Sequence, residues 1–137
     1  MKTIEWFVQL EYEKAVFYFP HAYVCDTKLS RSIEPEIFMD FDKLALAYFN
    51  AENTQKHPAI LTIQNEKNSI LATSAIPSIQ KLDLKKFTVP GGVLKNIAKK
   101  LGIIALSFSN ENKLSIILNP EKLYFSWREK YDTNSDS

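Results

Sequence analysis

The sequence predicts an α+β fold: an antiparallel sheet with two main helices on one face, built from a duplicated strand–helix–strand–strand unit plus an N-terminal hairpin. Three observations predict it. Residues 82–118, LDLKKFTVPGGVLKNIAKKLGIIALSFSNENKLSIIL, read in order as strand, helix, strand, turn and strand. The first twelve residues alternate apolar and polar positions, and two segments in the middle of the chain repeat one pattern at a fixed offset.

Ile4, Trp6, Val8, Leu10 and Tyr12 alternate with Glu5, Phe7, Gln9 and Glu11, the period of a strand with one buried face. A turn at Glu13 and Lys14 returns the chain through Ala15 to Phe19, and Pro20, which lacks an amide donor, ends the pairing. His21 to Arg31 has no clean period and is expected to be irregular or a short edge strand. Beyond Pro35, Phe41, Leu44, Ala45, Tyr48 and Phe49 recur at helical spacing, and Asp40 is placed to cap the first turn. Ala59 to Ile63 and Ser69 to Ile76 form a hairpin around the polar residues 65–68, broken by Pro77.

Val93, Ile97 and Leu101, widened by Leu94 and Ala98, give the second helix its core face, with Lys95, Asn96, Lys99 and Lys100 opposite. Gly102 stands where a helix C-terminal glycine is expected. The next hairpin turns at residues 110–113. Leu123, Tyr124, Trp127 and Tyr131 share a helical face, although Leu123, Phe125 and Trp127 also alternate as a strand would. Asn119, Pro120 and Glu121 resemble a helix start and favour the helix.

Aligning Asn65-Glu66 on Asn110-Glu111, an offset of 45, places Leu61 on Leu106, Ile63 on Phe108 and Leu71 on Ile116. Upstream, Leu44 and Tyr48 fall on Val93 and Ile97. This reads as an internal duplication, against the alternative of chance similarity between two amphipathic hairpins. The expected organisation is a single domain over residues 1–131, with repeat units at 36–76 and 82–118 and a disordered tail at 132–137.

At 137 residues, with 45% hydrophobic and 24% charged side chains, the chain fits one globular domain with a real core. A net charge of +1 argues neither for nor against a nucleic-acid protein. Its distribution is uneven. Residues 81–100 carry six lysines against Asp83, whereas residues 34–53 carry five acids against Lys43. Cys25 is the single cysteine, so neither a disulfide framework nor a thiolate zinc cage is available. No secretory pattern is seen at the N-terminus and no run approaches the roughly 20 apolar residues of a membrane span, so a cytoplasmic protein without membrane contact or cofactor is expected.

Phe87-Thr88-Val89-Pro90, the helix Val93 to Leu101, and the strands Ile104 to Phe108 and Leu114 to Leu118 together resemble the half-domain of sliding DNA clamps. That resemblance, over residues 36–118, implies a ring assembled from several domains whose helices face DNA. Asp83 to Pro90 followed by a helix, Gly102-Ile103 and a hairpin is also similar to swapped-hairpin transcription factors of the AbrB type, with Lys86 and Phe87 where that family has Gly-Arg. Both resemblances imply DNA, or a DNA-processing protein, as partner, and the first implies a homo-oligomer.

On these grounds Lys85, Lys86, Lys95, Lys99 and Lys100 are the candidate nucleic-acid contacts, each able to neutralise a phosphate; the bland reading is a solvated helix face. The expected function is a noncatalytic module associating with nucleic acid or a nucleic-acid machine. The alternative is a protein-binding inhibitor or immunity-type module acting through its acidic first helix, with Asp42 and Glu52, or through its aromatic hairpin. That hairpin, with Trp6, Phe7, Phe17, Tyr18 and Phe19, is apolar on both faces and so either meets a partner or completes the core.

Chemistry finds little footing. Pro90-Gly91-Gly92 before a helix could expose amides to an anion, but it lacks the phosphate-loop and dinucleotide signatures and reads as a connection. His21, Cys25 and Asp26, and separately His57, lack the base and electropositive pocket a catalytic thiolate needs. The pairs Asp40 with Asp42 and Glu34 with Glu36 read as helix-start acids rather than an acid–base couple.

Overall fold

The computed structural model describes residues 4–29, 38–42, 45–46, 59–63, 70–108, 113–120 and 122, some of them by backbone alone. Among the described residues, nine strands form two sheets: β1 (Ile4–Glu11), β2 (Ala15–Pro20), β3 (Val24–Leu29), β4 (Phe38–Asp40), β5 (Ala59–Ile63), β6 (Ile70–Thr73), β7 (Ser78–Asp83), β8 (Ile103–Phe108) and β9 (Leu114–Leu118). One sheet runs β7-β1-β2-β9-β8 and the other β3-β5-β6-β4. A helix spans Leu94–Leu101, and Phe41, Asp42, Ala45 and Leu46 also have helical backbone. The fold is therefore α+β.

Details of the expected architecture are corrected. There are two sheets rather than one, and neither is purely antiparallel, because β2 pairs parallel with β9 and β4 parallel with β6. Local periodicity identifies strands but says nothing of which distant strand each will meet. The stretch Asp83 to Pro90 is not one strand either. The Asp83 carboxylate accepts the Lys85 amide at 3.0 Å, which turns the chain into a short 3-10 segment, Leu84–Lys86, before Thr88 resumes extended pairing.

The N-terminal hairpin forms as expected, with the Tyr12 amide donating to the Ala15 carbonyl at 2.8 Å across Glu13-Lys14. Its return strand is the centre of the five-stranded sheet. Phe17 and Phe19 on one face of β2, and Val16 and Tyr18 on the other, are all buried. The aromatic hairpin thus completes the core, and as a docking surface it is largely withdrawn.

Two apolar layers follow from that two-faced strand. On one side Leu10, Tyr12, Phe17, Phe19, Ile116 and Leu118 pack around Phe41 and Ala45. Phe41 is wedged edge-on against Phe17 at 4.9 Å and Phe19 at 5.5 Å between ring centres, arrangements that favour the aromatic quadrupoles. On the other side Phe7, Val16, Tyr18, Ala105 and Ile117 cluster with Leu82, Leu84 and Phe87, so all five strands contribute. Thr88 exchanges two backbone hydrogen bonds with Leu106, 2.8 and 2.9 Å, which ties the chain leaving edge strand β7 to the opposite edge, β8. The sheet is nearly closed into a small barrel around this second layer.

A polar chain joins the hairpin to the second sheet. The Tyr12 hydroxyl donates to Asp42 Oδ1 and lies 2.6 Å from Thr73 Oγ1; the Ser74 amide donates to both Asp42 oxygens at 2.9 and 3.2 Å, and the Ala75 amide to Thr73 Oγ1 at 3.1 Å. Buried Tyr12 and Thr73 are thereby satisfied.

The two middle hairpins pair in the same register. Leu61 opposes Leu71 as Leu106 opposes Ile116, and Thr62 opposes Ile70 as Ser107 opposes Ser115. The units around them differ. β4 joins its hairpin in parallel through β6, whereas Thr88 meets β8 antiparallel. The side chains of Cys25, Asp26 and Asp40, the whole of Glu34, Glu36, Glu52 and His57, and most of residues 120–137 lie outside the described residues; within that last segment Pro120 and Lys122 are helical.

Candidate interaction surface

The segment that closes the barrel also exposes apolar side chains. Phe87 turns into the barrel layer and Thr88 is held to Leu106, its hydroxyl donating to the Leu106 carbonyl at 3.3 Å. Val89, next along, is 80% exposed. The chain then passes Pro90, Gly91 and Gly92, whose φ of 58° suits glycine, and enters the helix with no side-chain cap. Val93 and Leu94 are 89% and 57% exposed, while Ala98 and Leu101 are buried. The core stripe expected along this helix is thus buried at its C-terminal half and open at its start. Gly102, at φ 78°, ends the helix, its amide directed to the Ala98 and Lys99 carbonyls.

Two clefts meet at this segment. One, of about 250 Å³, enters the end of the barrel and is lined by Phe7, Leu84, Phe87, Ile104, Ala105 and Ile117, with Glu5 at its rim. The other, of about 380 Å³, lies beside the helix, where Lys95, Lys99 and Lys122 surround Ala98, Ile103 and Pro90. Val89 and Ile104 line both.

The five candidate lysines are distributed over two elements. Lys85 and Lys86 are exposed on the 3-10 segment; Lys95 and Lys99, one turn apart, line the second cleft; Lys100 is exposed on the same helix. Lys122, Val89 and Ile104 are additions that sequence reasoning missed, since only the fold brings residue 122 to the helix. The available signal is the apolar start of the helix, which helical spacing alone assigns to the core.

A second apolar area lies along β1 and its neighbour β7. Trp6 and Ile79 are each more than half exposed, and Lys81, directly opposite Trp6 in the ladder, holds its ammonium 5.5 Å from the centre of the indole ring. Trp6 shares its face of β1 with buried Val8 and Leu10, so the apolar face continues past its cover. Elsewhere His21 is exposed on a short 3-10 segment, and among the described residues no group of three or more His, Cys, Asp or Glu side chains converges as a metal shell would. Asp42 faces the internal network rather than an outside partner. No helix among the described residues is long and apolar enough to cross a membrane.

No protein-family model matches this sequence, and neither does any curated protein. Among solved structures, the chain is similar to the crystal structure of scaffolding protein TtCheW from Thermoanaerobacter tengcongensis, with a TM-score of 0.57 over 84% of this chain and 88% of that one, at 14% identity. The chain shares the fold of TtCheW. That likeness overturns both DNA-binding resemblances. The clamp reading expected two like units on one antiparallel sheet, whereas here the two hairpins occupy different sheets. In the swapped-hairpin reading, Asp83 to Pro90 would run as one strand into the helix, and in the TtCheW-like fold it bends at Asp83 to close the barrel. DNA as partner, and the nucleic-acid role that went with it, lose their support.

Proposed function

We propose that this protein is a protein-binding module that brings partners together through separate surfaces. The observation that carries the reading is two groups of exposed apolar side chains, Val89, Val93, Leu94 and Ile104 near the clefts, and Trp6 on β1 with Ile79 on edge strand β7, while Leu46, Ile76 and Phe108 are exposed elsewhere. Monomeric proteins rarely leave contiguous apolar surface uncovered without a contact to make. The fold likeness to a scaffolding protein agrees with this reading. Of the two contact surfaces first expected, the aromatic hairpin is reduced to Trp6, and the acidic helix contributes Asp42 to the interior. The equal register of the two hairpins supports a repeated origin for them, within one domain, limited to the hairpins themselves.

The test is site-specific photo-crosslinking in cells expressing the chain, with the reactive residue at Trp6 in one variant and at Val93 in another. Each position is expected to capture protein, and the two sets are expected to differ. A chain recovered uncrosslinked, or crosslinked only to itself from both positions, defeats the reading; a second copy captured from one position alone identifies one surface as a homo-oligomer contact.

A further inference from the structure

We infer that the paired clefts at Val89 and Ile104 form a docking site for an acidic segment of a partner protein that carries an apolar anchor side chain. The inference rests on the protein-binding reading above and names the chemistry of one of its partners. Three features meet at the site. The barrel end offers a concave apolar recess walled by Phe7, Leu84, Phe87, Ala105 and Ile117. The neighbouring cleft is lined by Lys95, Lys99 and Lys122, with no acidic side chain among its described residues. Exposed Val93 and Leu94 stand directly before Lys95 in the chain and extend the apolar area.

Charge complementarity selects the occupant. Three ammonium groups around one cleft repel one another and are relieved by carboxylates placed among them, while the recess gains only from an apolar side chain leaving water. A polyanion without apolar groups satisfies the lysines and leaves the recess and Val89 wet. A wholly apolar segment buries the recess and leaves the lysines unpaired. Alternating acidic and apolar residues meet both demands, with the anchor in the barrel end and flanking carboxylates at Lys95, Lys99 and Lys122. Glu5 at the rim of the recess disfavours a carboxylate there and helps set direction.

The probe is a short fluorescein-labelled peptide in which glutamate alternates with leucine, titrated with the full chain by anisotropy beside a twin carrying glutamine for glutamate. Saturable binding is expected for the acidic peptide, with the twin weaker by about tenfold. Val89→Asp, and separately Lys95→Glu with Lys99→Glu, are each expected to weaken binding by about tenfold. Circular dichroism is expected to be unchanged, since all three side chains are exposed. Equal binding of the twin overturns the proposal, as does an affinity that ignores Val89→Asp, which would mean attraction to lysines alone. Absence of saturable peptide binding, including the case where phosphatidylserine vesicles are retained instead, also overturns it. If crosslinking at Val93 still captures partners that tolerate Val89→Asp, the docking site fails and the protein-binding reading stands. If the peptide behaves as expected and crosslinking captures nothing, the site stands and the wider reading fails.

Discussion

In β2, Val16 to Phe19 are buried on both faces, while Val89 and Val93 in the connector leading to the helix, and Leu94 at the helix start, stand in water. The residue types are alike, so hydrophobicity does not decide their fates. Position in the sheet does. β2 has a strand on each side, a layer of rings around Phe41 on one face and the nearly closed barrel on the other. The connector closes the barrel at Thr88, and beyond that residue no described element covers it. Apolar surface that topology leaves uncovered is where a partner contact is to be sought.

The largest effect expected from breaking this contrast is at Phe17. Phe17→Ala empties a site among Tyr12, Phe41 and Leu10 and should cost about 3–5 kcal/mol in chemical denaturation. Val93→Ser should stay within about 0.5 kcal/mol of the parent, because its side chain is already hydrated. A large loss at Val93 would show that the connector is covered in the folded protein and would remove it from consideration as a contact.

This contrast marks where the sequence was legible. The β1–β2 hairpin could be read because alternation and a two-residue turn are local, as could Gly102 at its left-handed position. The pairings of β2 with β9 and β4 with β6 could not, since they depend on strands brought together from far along the chain. The bend at Asp83 was hidden by a continuous apolar rhythm, and only its carboxylate's bond to the Lys85 amide betrays it. Helical spacing puts Lys95, Lys99 and Lys100 on the exposed side of the helix, where they lie, but puts Val93 and Leu94 in the core, where they do not. A stripe at helical spacing shows which side chains share a face, not how much of that face finds cover.

The next effect sharpens how the buried side is held together. Asp42→Ala removes the acceptor used by the Tyr12 hydroxyl and the Ser74 amide and should cost about 1–3 kcal/mol, as buried donors lose their partner. Tyr12→Phe should cost less, and the double variant less than the sum, because the two side chains share one bond. Additive losses in a denaturation cycle would show that the network does not act as a unit between the hairpin and the second sheet.

A smaller effect reports on the barrel layer. Burial raises the Tyr18 phenol above its ordinary value, opposed by a hydrogen bond with Ser115 and reinforced by the Glu11 charge. The folded state therefore favours the neutral phenol. Its contribution to stability is fully present below the ordinary phenol value of about 10 and is lost as pH rises from there through the folded value. Alkaline melting should fall less steeply in Tyr18→Phe than in the parent. Equal slopes would mean that Tyr18 is wet and the barrel interior more open than its neighbours imply.

The smallest effect tests whether exposed charge adds to the buried side. Lys113 Nζ donates to Glu11 Oε1 at 2.9 Å, with the Glu11 side chain 59% exposed. The attraction acts largely through water, and ordering two long side chains offsets most of it. The same junction is also held by the Leu114 amide donating to the Lys14 carbonyl at 3.3 Å, a backbone contact that a side-chain change leaves in place. Lys113→Ala should therefore cost less than about 1 kcal/mol, with the difference shrinking as salt is added to the denaturation buffer. A larger, salt-independent loss would mean that the lysine stem, rather than its charge, seals the end of β9, and the boundary between covered and open apolar surface would have to be redrawn there.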